Sequence, residues 1–327
     1  MNRAVTSRRS GGSFARAVGM VAALLAGLTM TGLAVTGCGL GPGEDTGDAT
    51  LWVTRDYGSD VLVDKPDLPV NESSSAMRML DGESDLETTY GGDFVQTVDG
   101  FSGDTKGGRR FDWFFSVNGV VAERGSAQFP TTGGDIVWWD FRDWTDAMEV
   151  GAVVGAYPAP FSTGYDRRDW GVEVDCMGEK TACRMVTKQL EGDGVTLRDS
   201  GENMRLIVGT LPDLLSTPEL KRLHRGPAAS GVFATFGVGP LTRKDGRPSP
   251  TLQVKGIKTD GSAGEDYGPD AGLVAAMRRN EDPPVWLITG GTEHAVQMAA
   301  AALNPEDLER RYAAVVSDGQ VSSLPVP

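Results

Sequence analysis

One seven-residue run limits what this chain can fold into more than any other feature. In residues 111–117, Phe111, Trp113, Phe115 and Val117 alternate with Asp112, Phe114 and Ser116. A period of two places the first set on one face of a strand and the second on the other. The run ends in Asn118-Gly119, two residues that tolerate the positive φ of a type I′ turn. Val120-Val121-Ala122 then begins a return strand.

The flanking sequence extends this hairpin into a sheet. Residues 49–55 and 61–63 read as strands, with Asp56-Tyr57-Gly58-Ser59-Asp60 as the turn between them. Residues 73–80 read as a short helix with Ala76, Met77 and Leu80 on one side. A strand at 94–98 follows the turn Gly91-Gly92. After the turn Gly133-Gly134-Asp135 comes a last strand at 136–141, where Val137, Trp139 and Phe141 share a face. Ile136 and Trp138 then point the other way, as does Phe114 on its own strand, and Trp144 lies just beyond. Phe114, Trp138 and Trp144 are therefore the ligand-binding candidates. Their face either holds a flat ligand or packs against the rest of the chain.

Three pieces carry a family resemblance. These are Gly92-Asp93-Phe94-Val95-Gln96-Thr97-Val98-Asp99-Gly100, Trp113-Phe114-Phe115-Ser116-Val117-Asn118-Gly119 and Gly134-Asp135-Ile136-Val137-Trp138-Trp139. Residues 49–145 resemble the transcobalamin C-terminal-like β-grasp family. The resemblance implies a twisted sheet crossed by one helix. In vertebrate vitamin carriers this domain helps cover bound cobalamin, and bacterial members are surface proteins, some associated with vitamin uptake. The helical barrel of the carriers is absent from this chain, and no cobalamin ligand transfers residue by residue.

From residue 151 the pattern changes to alternating strands and helices. Apolar runs at 152–154, 172–174, 205–208, 232–236 and 285–289 read as strands. Residues 181–190 and 293–303 read as helices. Thr217-Pro218-Glu219 and Asn304-Pro305-Glu306-Asp307 are helix starts, with a capping side chain, proline at the first position and acid in the first turn. This half is expected to be α/β, from no recognised family.

Chemical signatures are sparse. Gly290-Gly291-Thr292, between a strand and a helix, is either an anion site or a plain turn, and it lacks the P-loop and dinucleotide patterns. Ser230 lacks the G-x-S-x-G elbow. His224 and His294 have no neighbours that make a metal or general-base signature. Cys176 and Cys183 form either a disulfide, as an oxidising compartment favours, or a redox or metal pair, which their spacing disfavours.

The N-terminus directs the chain outward. Residues 1–16 carry Arg3, Arg8, Arg9 and Arg16 and no acid, and an apolar stretch runs from Ala17 to Val35. These are the charged and hydrophobic regions of a secretory signal. The stretch ends Val35-Thr36-Gly37-Cys38, which resembles the bacterial lipobox. A plain membrane-spanning anchor is the rival reading. Cys38 is the expected lipidation site, on the general secretory route. The whole chain carries a formal charge of −14, and loss of residues 1–37 removes four arginines and no acid. Such a surface repels phosphate backbones, which argues against nucleic acid as a partner.

The sequence thus reads as an α+β lipoprotein with a β-grasp-like domain followed by an α/β domain. Residues 1–37 are the signal peptide, 38–48 a flexible Gly-rich tether, 49–148 the β-grasp domain and 151–327 the α/β domain. The expected function is a lipid-anchored binding protein on the extracytoplasmic face of the cell membrane, capturing a cobalamin-like small molecule for an uptake transporter. A surface protein-interaction or structural role is the alternative and a secreted hydrolase the third reading. No catalytic residues, metal site or bound cofactor are expected.

Overall fold

The computed structural model describes residues 43–244 and 247–327. The signal segment, Cys38 and the start of the tether lie outside the described residues. The fold is α+β, and all the described residues belong to one compact unit. Among the described residues no helix is long and apolar enough to cross a membrane.

The first part contains β1 (Asp45–Arg55), β2 (Asp60–Asn71), α1 (Ala76–Asp81), β3 (Leu86–Thr89), β4 (Phe94–Val98), β5 (Phe101–Ser102), β6 (Asp104–Lys106), β7 (Arg109–Val117), β8 (Val120–Val121) and β9 (Ile136–Asp143). The main sheet has the order β2-β1-β9-β7-β6, with β8 also on β7. The central pair β1 and β9 is parallel, and antiparallel strands flank it. A parallel central pair needs a long crossover between its strands. Here that crossover holds α1, which packs Ala76, Met79 and Leu80 into the core shared with Leu51, Val53, Val137 and Trp139. The arrangement is β-grasp-like.

Several local expectations hold. Ser75 caps α1 by accepting from the Arg78 N–H. Asn118 and Gly119 adopt φ of 52° and 75°, the left-handed values that the hairpin turn requires. The tether differs from its expectation. β1 starts at Asp45, so residues 45–48 are strand, and Thr46 Oγ1 donates to the Val70 carbonyl at 3.1 Å. A glycine-rich acidic stretch is extended here because β2 runs on to Asn71 and supplies a pairing edge.

The second part contains α2 (Ala159–Ser162), β10 (Gly171–Met177), α3 (Lys180–Gly192), β11 (Asn203–Thr210), α4 (Leu211–Leu214), α5 (Pro218–His224), α6 (Pro227–Ser230), β12 (Ala234–Lys244), β13 (Arg247–Ile257), β14 (Ala263–Asp266), β15 (Gly272–Met277), β16 (Val285–Gly290), α7 (Glu293–Ala301), α8 (Pro305–Leu308), β17 (Ala313–Ser317) and β18 (Gln320–Leu324). Its large sheet has the order β10-β11-β16-β15-β17-β18, and β12, β13 and β14 form a separate sheet. Both faces of the large sheet are covered. Leu206, Val208, Trp286 and Ile288 face α3 and α7, while Ile207, Leu273, Ala275 and Leu287 face the other way. A sheet buried on both sides reads as continuous apolar runs.

Three expectations in this half change. Residues 152–154 form no strand. Ala152 makes one bridge to Val120, and the run is apolar because Val153 and Val154 enter different cores. Val232 and Phe233 precede β12 and plug the core as loop residues. The strands β13, β14, β15, β17 and β18 were not anticipated. A disulfide joins Cys176, on β10, to Cys183, on α3, with Cα atoms 5.8 Å apart.

The cores do not divide at residue 150. One cluster joins Trp52, Tyr57 and Trp138 of the first part to Phe233, Tyr312 and Val315 of the second. The other joins the α1 core to Phe161, Tyr165 and Trp286.

Candidate functional site

The face of the main sheet opposite α1 is set by register. Trp52 lies beside Trp138, and Thr54 beside Asp140. Across β7, Ser116 lies beside Trp138, Phe114 beside Asp140 and Asp112 beside Arg142. Alternation therefore brings three aromatic residues, three charged ones and two hydroxyl side chains onto one face.

Trp138 sits inside the protein, 2% exposed. Its ring meets Trp52 and Tyr312 edge-on at 6.0 and 5.3 Å, and its Nε1 donates to Thr54 Oγ1 at 2.8 Å. Gly155 makes this packing feasible, because a Cβ there would lie 2.6 Å from the Arg311 nitrogen and 2.8 Å from the Trp138 ring. The sequence candidate Trp138 is thus corrected to a packing residue, since the second half of the chain covers it.

Asp140 anchors the same contact. The carboxylate accepts from Thr54 Oγ1, the backbone N–H groups of Tyr57 and Gly58, and the Tyr312 hydroxyl. Burial pushes its carboxyl above the usual range, while those hydrogen bonds and the nearby Arg142 charge pull it back. Burial likewise raises the Tyr57 phenol to about 12.

Phe114 remains half-buried, and Trp144 stands beside it, edge-on at 6.5 Å. The Arg142 guanidinium lies 4.0 Å over the Phe114 ring, and Arg110 lies 3.8 Å over Trp144. The structure therefore keeps Phe114 and Trp144 together and separates Trp138 from them.

Phe114 lines two adjoining hollows. One, of about 250 Å³, is also lined by Phe94, Asp112, Phe115 and Trp139. The other, of about 340 Å³, is also lined by Arg142, Met148, Val150 and Arg278. Val121, Ala122 and Glu123 belong to both, so the two form one groove with Phe114 at its middle. Trp144 lies outside the groove lining. The first hollow exists because β7 pairs with β6 over 109–111 and with β8 over 116–117, which leaves residues 112–115 without a strand on that edge. There the Trp113 N–H donates to Asp112 Oδ1 at 2.9 Å. Partial burial raises the Asp112 carboxyl above its ordinary range.

In the second hollow, Arg142 is 1% exposed and donates from Nη1 to the Ala147 carbonyl at 3.2 Å. Arg278 pairs with Glu123 at 3.0 Å and donates from Nε to the Asp282 carbonyl at 2.7 Å. Sequence reasoning missed both arginines. The alternation of β9 carries Arg142 onto the face of Trp138, but its burial depends on the second half of the chain.

The remaining candidates have structural roles. Ser230 Oγ donates to the Gly226 carbonyl at 2.9 Å and lies buried. Thr292 caps α7 with its own side chain and donates to Asp270, so Gly290-Gly291-Thr292 makes a self-capped turn beside an acid. His224 lies 4.7 Å from the Phe236 ring, in the last turn of α5. Among the described residues no group of three His, Cys, Asp or Glu side chains is placed to hold a metal ion.

Residues 73–143 match the family model of a domain of unknown function, DUF4430. No curated protein matches the chain. Among solved structures, the chain resembles a protein of Ruminococcus gnavus described as a "putative metal binding protein". The identity is 18%, the match covers 29% of this chain and 96% of that one, and the TM-score is 0.23.

Proposed function

We propose that this chain is a lipid-anchored, extracytoplasmic binding protein that holds a small molecule in the groove around Phe114 and passes it to an uptake transporter. The observation that carries this reading is the groove itself. It combines an apolar wall, a half-exposed aromatic side chain and a few buried polar groups, the mixture that small-molecule sites present. The reading assigns no catalysis and no nucleic-acid partner. Within it, the first part is a transcobalamin C-terminal-like domain, and corrinoids are the first ligands to test. A corrinoid is larger than either hollow, so it lies across the groove and inserts only an edge.

Two experiments test this function. Calorimetric titration of the full chain in detergent with cobalamin and cobinamide is expected to give saturable heat. Phe114→Ala should weaken it without changing the circular dichroism spectrum. Absence of heat removes corrinoids. Fractionation tests the anchor: Cys38→Ala, once cleaved at the same site, should leave the membrane fraction on carbonate washing, and retention of that cleaved chain overturns the lipid attachment. A surface protein-interaction role is the second reading. It is favoured by Tyr90 and Phe94, 85% and 39% exposed, which meet edge-on at 6.3 Å.

A further inference from the structure

On α3 the charges run against the preference of the helix that carries them. Lys180, Arg184 and Lys188 follow at four-residue steps, so they lie along one face over about 12 Å. Like charges at that spacing repel. Lys180 is also the first residue of the helix, where the helix dipole disfavours a cation, and no acid stands in the first turn. Two other helices follow the dipole: α7 opens on Glu293, and α5 holds Lys221, Arg222 and His224 in its last turn. All three α3 cations are exposed, and none makes an ion pair with a described carboxylate. Arg184 donates to its neighbour Thr181 Oγ1 at 3.3 Å. Ala182, Cys183, Val186 and Leu190 bury the opposite face, and the disulfide fixes α3 to β10, the outer strand of the large sheet. An open hollow of about 570 Å³ lies among the three cations, Thr187 and the two cysteines.

We infer that this stripe of α3 is the face the protein turns to its membrane, where it meets anionic lipid headgroups. The inference rests on the lipid-anchored reading above. Three observations favour that occupant. The first is charge. The whole chain carries −14, so an anionic bilayer repels most of its surface and attracts an exposed, unpaired positive stripe. The second is reach. Seven peptide steps separate Cys38 from Asp45, where β1 begins, and they hold the start of the folded body within about 25 Å of the anchored residue. Some face must therefore lie near the bilayer, and charge selects this one. The third is shape. The cations are spread along an open hollow on a covalently held helix, which suits several headgroups side by side better than one enclosed anion. Each Lys or Arg near an anionic surface strengthens the attraction about fivefold. Three are enough to orient a chain that a lipid already holds there.

The test uses the full chain, carrying its own anchor, in nanodiscs of phosphatidylcholine alone or with phosphatidylglycerol added. A short exposure to an uncharged acetylating reagent, read by mass spectrometry, gives the rate at each lysine. Lys180 and Lys188 should react about fivefold or more slowly in the anionic discs. Lys106 and Lys258, exposed and outside α3, should keep their rates. High salt should abolish the difference. Arg184→Gln, at an exposed position, should weaken the protection of both α3 lysines by up to about fivefold, with an unchanged circular dichroism spectrum. Equal rates in the two discs overturn the inference, and so does a slowing spread over all four lysines or one that persists in high salt or in Arg184→Gln. Glycerol phosphate added to the neutral discs separates the two sources of phosphate. Protection of Lys180 and Lys188 there, equal to that in anionic discs, overturns the membrane assignment. Failure of the anchor reads differently. A chain that does not stay in the discs fails the anchor before any labelling. An anchored chain with unprotected lysines keeps the lipid attachment and overturns this inference alone.

Discussion

The two faces of the main sheet are buried by different chemistry, although the same strands build both. On the α1 side, β1 and β9 present Leu51, Val53, Val137 and Trp139, and the helix covers them with Met79 and Leu80. On the opposite side the same strands present Thr54, Asp140 and Arg142, all at most 2% exposed. The first face is held by area removed from water, which is non-directional. The second combines packed rings, Trp52 and Trp138 against Tyr312, with directional hydrogen bonds onto the buried Asp140 carboxylate. The lesson is that burial alone does not predict tolerance. An apolar face accepts a new shape of equal volume, whereas a buried polar network fails when one atom changes sign.

Near-isosteric substitutions sharpen this contrast. Asp140→Asn keeps the shape but turns one carboxylate oxygen into a donor. It then faces either the Tyr57 N–H or the Gly58 N–H, which cannot reverse. The expected loss is about 3 kcal/mol or more by urea unfolding. Leu51→Met, fully buried on the other face, should cost under about 1.5 kcal/mol. Equal losses for the two would break the comparison. Ser75→Ala removes the cap of α1 and should cost about 1 kcal/mol, acting on the apolar face alone.

The smallest effect concerns pH. Partial burial raises the folded carboxyl of Asp112 above its ordinary value of 3.8. As pH rises past that value the unfolded chain releases this proton first, so ionisation favours unfolding. The contribution of Asp112 to stability is therefore greatest below pH 3.8 and falls until the folded carboxyl also ionises. Asp112→Asn should gain on the parent chain across that window and then hold a constant difference. Urea unfolding of both proteins from acid to neutral pH checks this, and a difference that does not vary with pH contradicts it.

Much of the first sheet was legible because its information is local. Period two assigned Trp113, Val117, Val137 and Trp139 to the α1 face, and all four lie there. Asn118-Gly119 marked the turn because few residue pairs accept positive φ at both positions. Helix starts at Thr217 and Asn304 were legible because the cap is a contact within four residues. The strand β15 was missed, since its wholly buried run Gly272–Met277 shows no alternation that distinguishes strand from helix.

The sequence by itself determined which side chains share a strand face in the first sheet, where its hairpin turns and where α5 and α8 begin, because these depend on neighbours a few residues away. Only the tertiary structure decided what covers each face. It hid Trp138 beneath Tyr312 and left Phe114 and Trp144 at the surface, although alternation gives Trp138 and Phe114 equal standing. It also put Arg142 under the groove. Those outcomes depend on contacts between residues more than a hundred positions apart, such as Tyr312 with Asp140 at 2.9 Å. Periodicity along one strand carries no information about its partner across such a distance.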